Sequence, residues 1–247
     1  MYDSIGTTYS TTRRADPRIA AMIDEALGSA RTVVNVGAGS GSYEPPHRSV
    51  IAVEPSATMT AQRPADAAPV VRGVAGALPF GDGTFDAALC SLTIHHWPDL
   101  GTGLAELARV SRRQVIFLFD PAEVGRLWVT EYFPEALAHP AERSAPGPSE
   151  VADHLDVERI DVVPVPSDCI DGFAAAFWAR PEAYTDPGVQ AGMSWLARLD
   201  DDTRALGTAR LRADLDAGRW DTRHGHLRTI ASFDVGYRLL VARGPRR

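Results

Sequence analysis

Two stretches of the 247-residue sequence carry residue types with chemical use. In "TVVNVGAGSGSYE" (32–44), a β-branched run leads into Gly37, Gly39 and Gly41, one at every second position. Glycine has no side chain and takes φ > 0 freely, so such a turn lets a ligand lie against bare backbone. If the turn opens a helix, its unpaired N–H groups add hydrogen-bond donors. In "SLTIHHWPD" (91–99), His95 and His96 precede Trp97. An imidazole titrates near ~6.5 and suits base work at neutral pH. The competing reading is a histidine that only shapes its loop. His224 and His226 have the spacing of neighbours on one strand face. No third ligand accompanies them, so surface histidines are expected there and no metal site.

These groups need elements to hold them. "ADPRIAAMIDEALG" (15–28) reads as a helix, with Asp16 as N-cap, Pro17 in the first turn and Gly28 past the end. Its residues Ile19, Met22, Ile23, Ala26 and Leu27 share one face. Strands are expected at "TVVNV" (32–36), "SVIAVEP" (49–55), "VVRGV" (70–74), "FDAALCSL" (85–92) and "QVIFLFDP" (114–121). Such near-continuous apolar runs fit strands covered on both faces. A second helix follows Asp99, with Leu100, Leu104, Leu107 and Ala108 on its apolar face. This alternation predicts an α/β fold with a parallel, doubly wound sheet. Beyond residue 121 the rhythm breaks. "HPAERSAPGPSE" (139–150) reads as a loop and "VERIDVVPVP" (157–166) as a strand. Residues 167–225 read as a helical insertion rich in aromatics (Phe173, Phe177, Trp178, Tyr184, Trp195). "HLRTIASFDVGYRLLVAR" (226–243) reads as two strands meeting near Asp234–Gly236.

Composition narrows the function. The apolar fraction is 45 %, enough for a real core, and the length suits one large domain with an insertion. The net charge is −7, lysine is absent, and the arginines are scattered; the densest charge run, Asp200–Asp202, is acidic. A nucleic-acid-binding face needs a basic stripe, so no nucleic-acid partner is expected. Two cysteines make no disulfide framework, and Cys90 reads as a small core residue. No signal-peptide pattern opens the chain, and runs such as "VIFLF" (115–119) are too short to span a bilayer. A cytoplasmic protein with no membrane partner is expected.

The glycine spacing separates two ligand classes. A dinucleotide site requires G-x-G-x-x-G, whereas this chain has G-x-G-x-G with Ser42 where the last glycine belongs. Three stretches in order, "VVNVGAGSG", "VIAVEPSATM" and "RGVAGALPFGDGTFDAALCSLTIHHWPD", resemble the class I S-adenosylmethionine (SAM) dependent methyltransferases. The likeness is to their small-molecule, type 11 branch, related to quinone-biosynthesis methyltransferases, and covers roughly residues 15–121 and the final strand. It implies a Rossmann-like, doubly wound sheet of seven strands, the last antiparallel. It also implies SAM as cofactor and S-adenosylhomocysteine as product.

Carried onto this sequence, the resemblance implies a cofactor site of Tyr9, Gly37, Ala38, Gly39, Gly41, Glu54, Pro55, Met59, Val74, Ala75 and Leu92. The glycines would face the methionyl part. Glu54, ending the second strand, would accept from both ribose hydroxyls. Met59 would pack on the adenine, an ordinary core methionine being the competing reading. Leu78, Pro79 and Phe80 would brace the adenine wall. Tyr9 lies in a segment expected to fold over the cofactor. Two positions depart from the family: Asn35 stands where Asp is usual, and Val74 replaces the acid that meets the adenine amino group. Backbone groups near Val74 and Ala75 would then recognise adenine.

The expected activity is methyl transfer to O, N or C of a small molecule, a specialised metabolite, by alignment and exclusion of water. His95 is the first candidate for general base and His96 the second. Residues 167–225 are expected to cap the acceptor pocket of a single domain spanning 1–247. A nicotinamide-dependent oxidoreductase and a non-catalytic SAM-binding protein are the alternatives. Nothing in the sequence indicates an oligomeric state.

Overall fold

The computed structural model describes residues 13–139 and 144–243. A seven-stranded sheet forms the centre: β1 (Thr32–Val36), β2 (Ser49–Val53), β3 (Val70–Val71), β4 (Phe85–Ser91), β5 (Ser111–Phe119), β6 (Asp156–Val162) and β9 (Tyr237–Arg243), in the order β3-β2-β1-β4-β5-β9-β6. Strands β1 to β5 pair in parallel, and β9 runs antiparallel to β5 on one side and to β6 on the other. The order reverses between β1 and β4, which makes the carboxyl end of β1 the topological switch point.

The apolar runs are covered on both faces by two cores. Val33, Leu89, Val115, Phe117 and Leu239 point into one, and Val34, Cys90, Ile116, Leu118 and Leu240 into the other. Adjacent residues thus feed opposite layers, as a strand's two-residue period requires. Helix α1 (Pro17–Leu27) seals the first layer with Ile19, Ile23, Ala26 and Leu27. The Asp16 side chain accepts from Arg18 N–H at its start, and Gly28 ends it at φ 59°. A short α2 (Ala57–Ala61) follows β2. Helix α3 (Leu100–Val110) seals the second layer, with Asp99 accepting from Thr102 N–H as N-cap.

Several expectations change. The strand expected at 70–74 shrinks to Val70–Val71, the outermost strand, and Val74 makes only an isolated bridge to Ala77. The strand expected at 157–166 splits into β6 and β7 (Val165–Pro166). β6 closes the other edge, and its mostly exposed side chains match its alternating charges. The segment read as a loop ends in a helix, Pro148–Ala152. The two terminal strands meet at a turn but belong to different sheets: β8 (Ser232–Phe233) pairs with β7, while β9 enters the main sheet. His224 and His226 sit on helical turns, not on a strand face.

Residues 167–225 are helical in large part, with Asp201–Asp216 the longest helix. Their aromatics are chiefly core. Trp178, Tyr184 and Trp220 pack with Trp128 beneath the first layer, and Trp128 meets Tyr184 and Trp220 edge-on at 5.4 and 5.1 Å. Among the described residues, no helix is long and apolar enough to cross a membrane.

Candidate functional site

The glycine turn leaves β1 at the switch point. Gly37 and Ala38 N–H groups donate to the Val53 carbonyl at 2.9 and 3.1 Å, tying the turn to β2. Gly37 has φ 72°, and a Cβ there would lie 1.9 Å from Thr93 Oγ1. This glycine therefore answers to the protein's own β4 exit. Gly39 has φ 53°; its N–H donates to Glu54 Oε2 at 2.8 Å, and a Cβ there would meet Met59 Cε at 3.3 Å. Gly41, expected at the cofactor, does not line the cleft. Its φ is 96°, and a Cβ would face the buried Glu44–Arg63 ion pair.

A cleft of about 350 Å³ opens over this turn, within the range of small-molecule sites. Gly37, Ala38, Gly39, Glu54, Pro55, Met59, Val74, Ala75 and Leu92 all line it. Tyr9 lies outside the described residues. Leu78, Pro79 and Phe80 stay out of the lining; Leu78 and Phe80 pack behind it, Phe80 edge-on to Phe85 at 4.9 Å. Sequence reasoning missed Arg13, Trp97, Asp99 and Thr102, which the packing of α3 and the chain ahead of α1 bring to the cleft. One signal for Trp97 was available. Glycine disfavours helix interiors, yet α3 contains Gly101 and Gly103. A Cβ at Gly103 would fall 2.3 Å from Trp97 Cε3, so the glycine makes room for the indole.

The polar atoms suit a nucleoside carrying an amino acid. Glu54 is buried, with each carboxylate oxygen accepting one backbone N–H, from Gly39 and from Ser56. Each oxygen keeps a second lone pair for a ligand hydroxyl. Asn35 explains its departure from the family pattern. Its amide donates to Glu44 Oε1 at 3.1 Å, where an aspartate would oppose the Glu44 carboxylate. Asn35 lines the cleft, and its buried carbonyl oxygen has no partner among the described residues, which fits a ligand ammonium. The turn and these acceptors therefore fit SAM.

A second cavity, about 120 Å³, adjoins the first. Arg13, Leu92 and His96 line both. Leu92 adopts φ 52°, a conformation that disfavours a branched side chain and often marks functional sites. Arg13 is held by the fully buried Asp171, its Nε donating at 2.6 Å, and Tyr43 Oη donates to the same carboxylate at 2.8 Å. His95 lines the second cavity alone, and its ring lies 3.8 Å from that of His96. Burial, with the charges of Arg198 and Arg13, lowers the His95 pKa to about 4. Burial, then His95 and Arg198, lowers that of His96 to about 2. Both imidazoles are therefore neutral at pH 7. Among the described residues no group of three or more His, Cys, Asp or Glu is arranged to hold a metal.

A parallel sheet in this strand order, closed by an antiparallel strand and bearing this cleft, defines a Rossmann-like nucleoside-binding enzyme. A model of the methyltransferase domain matches residues 34–119. A demethylmenaquinone methyltransferase of Mycolicibacterium vanbaalenii is 34 % identical over 164 residues, 64 % of this chain and 68 % of that protein. A crystal structure from Anabaena variabilis, described as a methyltransferase from an antibiotic biosynthesis pathway, superposes with TM-score 0.86 at 31 % identity, covering 94 % of this chain and 98 % of that one. The geranyl diphosphate C-methyltransferase of Streptomyces coelicolor shares the fold, with TM-score 0.53 and 17 % identity over 92 % of this chain and 78 % of its own. The chain belongs to the SAM-dependent methyltransferases that act on small molecules. This sets the nicotinamide reading aside.

Proposed function

We propose that this enzyme methylates a small specialised metabolite, with SAM in the larger cleft, the acceptor in the smaller cavity and His96 as the general base. The observation that carries the reading is the junction: Arg13, Leu92 and His96 belong to both spaces. When bound, SAM supplies an electrophilic methyl group. The chain's own residues orient and exclude. Asn35 and Glu54 offer acceptors at the two polar ends of the cofactor, and Met59, Val74 and Trp97 form apolar walls. His96 ranks above His95 because a base must reach the acceptor atom beside the cleft, and His95 lines only the distal space.

Residues 167–225 act within the same single domain and cap the acceptor cavity, to which they contribute Phe173, Met193 and Trp195. The M. vanbaalenii and A. variabilis relatives, a demethylmenaquinone methyltransferase and a protein described from antibiotic biosynthesis, agree with a biosynthetic role. Buried free Cys90 and Cys169 agree with a reducing cytoplasm. The chain's acidic balance agrees with a small-molecule partner rather than nucleic acid. The test is calorimetric titration with SAM, then with NADH, followed by assay of S-adenosylhomocysteine release with candidate acceptors. SAM binding with turnover is expected. SAM binding without release of the product on any acceptor would mark a non-catalytic binder, and NADH binding in place of SAM would overturn the assignment.

A further inference from the structure

The acceptor cavity has a definite chemistry. Its walls include Phe119, Phe173, Met193 and Trp195, and no described residue lining it is a carboxylate. Arg13 lines it, paired with Asp171, and Arg198 lies near enough to act on both histidines. An ammonium entering this space would lose its hydration and meet no counter-charge, which is costly. Arg13 is already neutralised by Asp171, so a carboxylate gains no open cation from it either. Thr130, Ser194 and Tyr237, which carry hydroxyls, also line it, and two further kinds of polar group bear on the acceptor. A neutral imidazole has one acceptor nitrogen. The Trp195 indole N–H only donates; it is buried and has no partner among the described residues. A buried donor of this kind calls for an oxygen. A cavity of about 150 Å³ holds one benzene, so about 120 Å³, open to the neighbouring cleft, admits no more than one small ring.

We infer that the acceptor is an uncharged phenol built on one aromatic ring, methylated at its hydroxyl oxygen, with the Trp195 indole donating to an oxygen of that acceptor. The inference rests on the two-space reading above. In the reaction the phenol O–H bond breaks and its proton passes to His96. The oxygen's electron pair forms the new O–CH3 bond, and the methyl–sulfur bond breaks with its pair left on sulfur. His96 sits at the junction, so the atom it deprotonates is the one that faces the methyl group. A charged amine or a carboxylate lacks one of these matches.

The full chain would be given 4-methylphenol, benzylamine and benzoate, of similar size and different charge, with SAM. SAM binding by calorimetry is measured first; its absence would sink the two-space reading itself. With SAM bound, release of S-adenosylhomocysteine with 4-methylphenol at least ten-fold faster than with the other two is expected, giving 4-methylanisole. Faster turnover of benzylamine or benzoate, a ring-methylated product, or no turnover of the phenol would overturn the inference. Trp195→Phe should raise KM for 4-methylphenol about five-fold or more while kcat and SAM affinity change less than two-fold. Equal loss of SAM affinity would reduce Trp195 to a packing role.

Discussion

At Glu54 one carboxylate accepts the N–H groups of Gly39 and Ser56 and faces the cleft as well. Its position at a strand end suggests a residue that is dispensable to the fold; its burial and two backbone bonds make it structural too. Glu54→Ala should therefore lower stability by ~1–3 kcal/mol, the cost of orphaned donors. It should also weaken SAM by ~1.5–3 kcal/mol through the lost charge-assisted acceptor. Urea unfolding with and without SAM separates the effects, since a ligand of the native state raises stability. A variant still stabilised by SAM as wild type is would remove Glu54 from the site. Gly39 shows the same doubling: at φ 53° any side chain strains the backbone, whether or not a ligand lies against it. The paired histidines yield a pH effect. Their folded pKa values lie below the unfolded ~6.5, so unfolding takes up protons. Their contribution is complete above pH ~6.5 and declines as pH falls, toward about 4 for His95 and about 2 for His96, at up to ~1.4 kcal/mol per pH unit for each ring. Urea unfolding at pH 7 and pH 5 measures it. The loss should shrink in His95→Gln, and an equal loss in both proteins would contradict the assignment.

Helix α3 joins the cleft to the second core layer through Gly103 and the Trp97 indole. Gly103→Ala would improve the intrinsic helix by ~0.8–1 kcal/mol, yet its Cβ falls where the ring now lies. Displacement of Trp97 should cost at least five-fold in SAM affinity with little change in unfolding midpoint. Tryptophan fluorescence and calorimetry report both, and unchanged affinity would take Trp97 out of the cleft wall. What was legible in the sequence follows a simple division. The caps at Asp16 and Asp99, the alternating strands, and Glu54 and Met59 after β2 depend on neighbours a few positions away, and local pattern records them. Arg13 and Thr102 reach the cleft through packing that no local pattern carries, while the glycines of α3 were a local sign of room for Trp97. The short β3 is the outermost strand on its side, paired with β2 alone. Gly41 was assigned to the cofactor by resemblance to the family's glycine motif, whereas here each glycine of the turn meets a different neighbour, Gly41 the Glu44–Arg63 pair.

Across the whole molecule, the two core layers meet at a sheet whose penultimate place is taken by β9. The resemblance to known methyltransferases made that topology legible; apolar pattern alone shows only a terminal strand. Every side chain from Tyr237 to Ala242 is buried, and the strand bonds β5 on one edge and β6 on the other. This arrangement governs how the protein is born. During synthesis β5 leaves the ribosome more than a hundred residues before β9 does. For that interval its edge, including Val115, Ile116 and Phe117, has no partner, and β6 has no sheet to join. An unsatisfied apolar edge invites pairing with other chains. Ribosome-bound chains ending at Gly236 should therefore be cleaved readily by protease and retained by chaperones. Chains extended far enough to free Arg243 from the exit tunnel should become resistant in one step. Protection already present at Gly236 would mean that the parallel half folds alone. Otherwise the seven residues of β9 act as a latch, and the nascent enzyme stays vulnerable until they arrive.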